Sequence, residues 1–187
     1  MGEVTFAGLR LRARPGVVMT PRPATERVVA AALARIDGVP VRVADAGTGS
    51  GAIAVALAAA KPKARVWATD VSRAAVALAR ENVARHRVGD RVHVLHGDLL
   101  EPVDGSLDLV VANLPYLPPS EGGYDDEPPG AVYAPGDGLV HVRRLIDQAA
   151  ARLALGGALV LQYRAQVLEA ARVELDALRS ALSAPGS

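Results

Sequence analysis

Apolar positions along this 187-residue chain follow two periods in alternation, and the alternation sets the expected architecture. Residues 3–13 (EVTFAGLRLRA) switch between apolar and polar on either side of Ala7-Gly8, which predicts two short strands in a hairpin. The prolines of Pro21-Arg22-Pro23 hold the next backbone extended. A helix opens near Thr25, with Val28, Val29, Ala32, Leu33 and Ile36 as its buried stripe. An apolar run from Val41 ends in Asp45, a glycine turn follows, and an Ala-rich segment to Ala59 continues as a helix. Residues 64–69 (ARVWAT) predict a strand ending in Asp70, then a helix from Ser72 to about His86 with Ser72 as N-cap. Further strands are expected at 91–95, 107–112 and 158–162. Further helices are expected over 139–155, stopped by Gly156-Gly157, and over 165–182, before a frayed tail at Ala184-Pro185-Gly186-Ser187. Strands alternating with helices call for an α/β fold, a mainly parallel sheet with helices on both faces.

Composition narrows the function classes. The length suits one domain over 1–187, with the hairpin and lead-in at 1–20 and the core at 21–187. Aromatics are 3%, too few for a base-stacking platform, and a net charge of +1 gives no field to attract polyanions. Without cysteine there is no disulfide, no thiolate metal site and no cysteine nucleophile. No signal-peptide layout is present, and no apolar run approaches the ~18 residues of a membrane span. A cytoplasmic enzyme fits these bounds.

The chemistry concentrates at strand ends. In Gly47-Thr48-Gly49-Ser50-Gly51 the glycines let a ligand approach the main chain, and the following helix start offers unpaired N–H groups to an anionic group. The glycines fall as G-x-G-x-G behind Asp45, not as the dinucleotide G-x-G-x-x-G. This D-x-G-x-G-x-G turn resembles motif I of the class I S-adenosylmethionine-dependent methyltransferases. Asp70 lies 19 residues beyond Gly51, close to the ~20 expected for an acid that accepts from both ribose hydroxyls. Asp98 ends another strand, as a partner for an adenine amino group or as a solvated turn acid. Asn113-Leu114-Pro115-Tyr116 follows the 107–112 strand. There the Asn oxygen and the next carbonyl can accept both hydrogens of a planar –NH2, aiming its lone pair at a methyl donor, while Tyr116 packs flat on the group. Residues 117–138 form a long Pro-, Gly- and acid-rich loop in which Asp125, Asp126 and Glu127 read as solvated, with no spaced metal ligands. His86, His93, His96 and His141 share no spacing and read as surface or structural, and Arg85, Arg87 and Arg91 as a solvated helix end.

Taken in order, these pieces resemble the protein-(glutamine-N5) methyltransferases that modify peptide-chain release factors, over nearly all of residues 5–166. The matched pieces are Pro21 to Glu26, Asp45 to Gly51, Asp70, Asn82, Asp98, Asn113 to Tyr116, Glu127-Pro128 and Asp137-Gly138-Leu139. The resemblance implies a Rossmann-like class I methyltransferase that uses S-adenosyl-L-methionine, releases S-adenosyl-L-homocysteine and needs no metal. Its cofactor residues would be Asp45, Gly47, Thr48, Gly49, Gly51, Asp70, Val71, Asp98, Leu99 and Asn113. Asn113, Pro115 and Tyr116 would be catalytic, and Arg22, Asn113, Leu114, Pro115 and Tyr116 would hold the acceptor, a glutamine amide of a release factor.

Four departures qualify the match. The family usually has Pro where Leu114 stands, and Asn-Leu-Pro-Tyr also resembles rRNA adenine-N6 dimethyltransferases. That keeps adenine in nucleic acid as an alternative acceptor, beside a non-catalytic methyltransferase-like module. Gln162 and Arg164 stand where the family typically carries Glu and Gly. The sequence as read is expected to lack the family's N-terminal helical domain and the antiparallel β-hairpin that this class usually adds at the C-terminus. The 158–162 strand is therefore expected to be an edge covered by the final helix, by the N-terminal hairpin or by a second subunit, as a homodimer or with a partner. No membrane partner is expected.

Overall fold

The computed structural model describes residues 2–36, 40–124, 126–164 and 166–182. Asp125, Ala165 and the tail at Ala184, Pro185, Gly186 and Ser187 lie outside the described residues. β1 (Gly2–Phe6) and β2 (Leu9–Ala13) form the expected hairpin through Ala7 and Gly8, both at positive φ. A 3-10 turn at Pro23–Thr25 opens α1 (Glu26–Ala34), followed by β3 (Val41–Ala46), α2 (Ala52–Ala60), β4 (Ala64–Asp70), α3 (Arg73–Arg85) and β5 (Val92–His96). Then come β6 (Leu107–Ala112), α4 (Val140–Arg152), β7 (Leu153–Tyr163), β8 (Gln166–Ala171) and α5 (Leu175–Ala181). The Ser72 hydroxyl caps α3 by accepting from the Ala75 N–H at 3.3 Å.

The sheet runs β5-β4-β3-β6-β7-β8, parallel except for the last pair. Strand alternation sends Leu109, Val111 and Val160 into the core beneath α1, α2 and α3. Val110, Ala112, Leu159 and Leu161 pack on the other face with α4 and α5. Helices therefore cover both faces, as the alternation of periods predicts. The order reverses between β3 and β6, and ligands of open α/β sheets bind at the strand C-termini beside such a reversal. Among the described residues no helix is long and apolar enough to cross a membrane.

The C-terminal third corrects three expectations. α4 ends at Arg152, and Gly156-Gly157 belong to β7, where residues 154–157 stand opposite Asp108 alone as a bulge. The single helix expected over 165–182 is a strand, a 3-10 turn and a short helix. The β7 edge is covered by β8, an antiparallel sixth strand from this chain, where the final helix, the N-terminal hairpin or a second subunit was expected to cover it. β8 alternates as a strand does. Val167 and Glu169 face the α1 side, where Glu169 pairs with Arg35 at 2.7 Å, while Leu168 and Ala170 pack with α4 and α5.

Candidate active site

The turn after β3 is organised by Asp45, which is fully buried. Its Oδ2 accepts from Thr48 Oγ1 at 2.6 Å and from the Ala54 N–H at 3.1 Å, tying the start of α2 to the turn. Burial pushes the Asp45 carboxyl up to about 7, opposed by those two hydrogen bonds and reinforced by the nearby Asp70 charge. The Thr48 N–H donates to the Thr69 carbonyl at 2.9 Å, pinning the turn to the end of β4. Gly47 has φ +71, and a Cβ there would come within 2.7 Å of Leu114 Cδ2, so the turn lies flat against the Leu114 side chain. Asn82, fully buried on α3, accepts from the Arg12 N–H at 2.7 Å and donates to the Arg12 and Ser50 carbonyls at 3.1 and 2.8 Å. It joins the N-terminal hairpin to the glycine turn.

A cavity of about 400 Å³ opens over these strand ends. Gly47, Gly49, Asp70, Val71, Asp98, Leu99, Asn113, Leu114 and Pro115 all line it. Asp70 is held by N–H groups from Gly49 (2.9 Å) and Ser72 (2.8 Å), and burial raises its pKa against those bonds and the His96 charge. Asp98 accepts from Arg144 at 2.7 Å while facing the same space. Asp45 and Gly51 do not line the cavity: Asp45 lies beneath the turn, and Gly51 packs against Ala79. Thr48 lines a small adjoining pocket of about 60 Å³ with Arg22, Met19 and Asn113.

A second cavity, about 470 Å³, adjoins the first and is lined by Arg22, Thr25, Asn113, Leu114, Tyr116, Glu121, Tyr124, Gln162 and Arg164 among others. The tetrapeptide after β6 is the wall between the two. Asn113 and Leu114 line both, Pro115 only the first, and Tyr116 only the second. Asn113 Nδ2 donates to the buried Thr25 Oγ1 at 3.0 Å, which leaves Asn113 Oδ1 as the end available to a ligand. Tyr116 stacks edge-on against Tyr163 with centroids 5.7 Å apart, and its hydroxyl donates to the Arg164 carbonyl at 3.4 Å. Burial raises the Tyr116 pKa, opposed by the Gln162 side chain and the Arg164 and Arg22 charges. A Cβ on Gly138, at φ +85, would overlap the Tyr116 carbonyl, and Asp137 caps Leu139 while pairing with Arg143 at 2.6 Å. The Asp-Gly-Leu motif thus braces the tetrapeptide from behind.

Several wall residues escaped the sequence. Glu127 is not a solvated loop acid: it is 9% exposed, accepts from the Thr20 N–H at 3.1 Å and pairs with Arg22 at 3.4 Å. It straps the proline-rich lead-in across the site, so Val17, Val18 and Met19 form a cavity wall where a plain helix lead-in was expected. Arg22 also lies over the Tyr124 ring, 4.7 Å from its centroid. His141 and Arg144, one helical turn apart on α4, line the first cavity, and His141 is therefore a wall residue. The spacing His-x-x-Arg was the one available signal. Arg85 pairs with Glu3 and Arg91 with Asp90, so those cations are neutralised in place.

Comparison with known proteins finds methyltransferases among both the similar sequences and the similar folds. A release factor glutamine methyltransferase of Deinococcus radiodurans is 43% identical over 167 residues, 86% of this chain and 59% of that protein. The corresponding protein of Moorella thermoacetica is 42% identical over 168 residues, again 86% of this chain and 59% of the relative. The chain thus spans less than two thirds of their length. Among solved structures, a ribosomal protein L11 methylase from Lactobacillus delbrueckii subsp. bulgaricus is 26% identical, covering 90% of this chain and 71% of that one with a TM-score of 0.58. An RNA methyltransferase from Salinibacter ruber, in complex with S-adenosyl-L-homocysteine, shares the fold at 24% identity, 77% and 76% coverage and a TM-score of 0.54. Residues 24–125 match the family model of the methyltransferase small domain, and the chain belongs to that family.

Proposed function

We propose that the chain is an S-adenosylmethionine-dependent N-methyltransferase whose acceptor is a glutamine side-chain amide, presented by a protein such as a peptide-chain release factor in the cytoplasm. The observation that carries this is the straddling tetrapeptide: Asn113 and Leu114 belong to two adjoining cavities at once. The first cavity suits the cofactor. Asp70 at the tip of β4 would accept from vicinal ribose hydroxyls, Val71 and Leu99 would offer apolar faces to a base, Asp98 would accept from its amino group, and the Gly47–Gly49 main chain would admit the remainder. When bound, S-adenosylmethionine supplies an electrophilic methyl group on a sulfonium sulfur.

The chain's own residues supply positioning. Thr25 holds the Asn113 amide so that Oδ1, with the Leu114 carbonyl, receives the two amide hydrogens of the acceptor. The nitrogen lone pair then points across the wall into the first cavity, with the Tyr116 ring against the amide plane. No strong base is required ahead of transfer, because orientation is the contribution; as the N–C bond forms and the S–C bond breaks, the nitrogen gives up one of its two hydrogens as a proton to solvent. A protein acceptor also suits the rim of the second cavity, where Arg22 is matched by Glu127 and Arg164 by Glu121, leaving no excess of cations for phosphates. The relatives' names point the same way.

The test begins with calorimetric titration of the chain with S-adenosylmethionine and S-adenosylhomocysteine, which should bind the wild type and fail with Asp70→Ala. Methyl transfer to a release factor is then measured against rRNA. Asn113→Ala should cut transfer at least ~100-fold while cofactor binding stays nearly intact. Loss of both together would refute the positioning role of Asn113.

A further inference from the structure

Gln162 closes β7 and is 8% exposed. One residue past the registered pair Ala112–Leu161, it stands level with Asn113, the residue that follows β6. Alternation through Leu109 and Val111 on β6, and through Ala158 and Val160 on β7, places Asn113 and Gln162 on the same face, toward α1. Both line the second cavity. Each amide has its nitrogen engaged and its oxygen left over. Asn113 Nδ2 donates to Thr25, and Gln162 Nε2 reaches the Arg164 carbonyl at 3.5 Å, on a residue held at φ +54. Gln162 Oε1 is buried without a hydrogen-bond partner among the described residues. A buried acceptor in that condition is costly to keep unless something arrives to donate to it.

We propose that Gln162 determines acceptor specificity: its Oε1 receives a main-chain N–H of the polypeptide whose glutamine amide is held at Asn113, an assignment that rests on the glutamine reading of this site. The donor count favours a polypeptide. A glutamine residue brings two hydrogens on its side-chain amide and a third on its main-chain nitrogen. Neighbouring strands lie about 4.8 Å apart, a separation comparable to that between a glutamine's main-chain nitrogen and its amide. Adenine brings only the two hydrogens of its amino group, and its flanking N1 and N7 are acceptors that would face Gln162 Oε1 unfavourably. A site built to receive a donor discriminates strongly against a ligand that lacks one. Gln162 is thereby a filter between a peptide amide and an exocyclic adenine amine, two groups that Asn113 and the Leu114 carbonyl could hold alike.

The experiment compares a glutamine-bearing peptide with its depsipeptide analogue, in which an ester oxygen replaces the main-chain N–H of that glutamine. Both are assayed for methyl transfer with the wild-type chain, Gln162→Met and Gln162→Glu, and cofactor affinity is measured for all three. The ester should lower kcat/KM about tenfold for the wild type. Gln162→Met should lose about tenfold on the amide peptide and nothing further on the ester. Gln162→Glu keeps an acceptor oxygen and should keep the ester sensitivity, and cofactor affinity should not move. Losses in Gln162→Met that multiply with the ester to about a hundredfold overturn this inference and leave the glutamine reading standing. No transfer to either peptide by the wild type, or transfer only to adenine or guanine in RNA, overturns both.

Discussion

The buried Asp45 carboxyl makes the stability of this chain depend on pH in a direction opposite to that of most acids. Its pKa rises from the ordinary 3.8 to about 7 because burial penalises the charged form more than Thr48 and Ala54 favour it. In the unfolded chain Asp45 releases its proton near pH 4, whereas the folded chain holds it to about pH 7. Across that window the folded state binds the extra proton, so stability is highest at the acid end and falls as pH rises, then levels above 7. At ~1.4 kcal/mol per pH unit the full effect is about 4 kcal/mol, of which about 3 kcal/mol lies between pH 5 and pH 8. The orphaned Oδ1 is consistent with a carboxyl that carries a proton at the lower end of that range. Asp45→Asn keeps an oxygen for Thr48 and Ala54 but cannot titrate. Urea unfolding of both proteins at pH 5, 6, 7 and 8, followed through the half-buried Trp67, isolates the contribution as a difference. The stability of the wild type relative to Asp45→Asn should fall by about 3 kcal/mol from pH 5 to pH 8. A difference that stays constant to within ~0.5 kcal/mol, or that grows with pH, would refute the reasoning.

Two further outcomes follow from single contacts. Thr25→Val removes the acceptor that fixes the Asn113 amide, so kcat should drop about tenfold while the cofactor dissociation constant from calorimetry is unchanged. Asn82→Ala strands the buried Ser50 carbonyl and the part-buried Arg12 N–H and carbonyl, which should cost about 2–4 kcal/mol in denaturant unfolding and raise amide exchange in β2.

What the sequence disclosed and what it withheld divide along the difference between local and long-range causes. The parallel core was legible because each strand from β3 to β6 carries its own apolar run and ends in its own signal: Asp45, Asp70, Gly97-Asp98 and Asn113. Those strand ends are local in sequence, and the doubly covered sheet brings them to one edge without further information. β8 was hidden because Gln166 to Ala171 is rich in Ala, Leu, Glu and Gln, which prefer helix. The unpaired edge of β7 overrides that preference by offering six residues of backbone pairing, with Glu169 anchored to Arg35 across 134 positions. Glu127 is hidden in the sequence for the same kind of reason. Its acidic neighbours suggest solvent, but its partners Thr20 and Arg22 lie more than 100 residues upstream and no local pattern announces them. The second cavity is assembled almost wholly from such distant pieces, the lead-in, the 117–138 loop and the ends of β6 and β7. The first cavity, by contrast, is built mainly from consecutive strand ends. The first cavity is therefore declared in local motifs, whereas the second is written in contacts that exist only once the chain has folded.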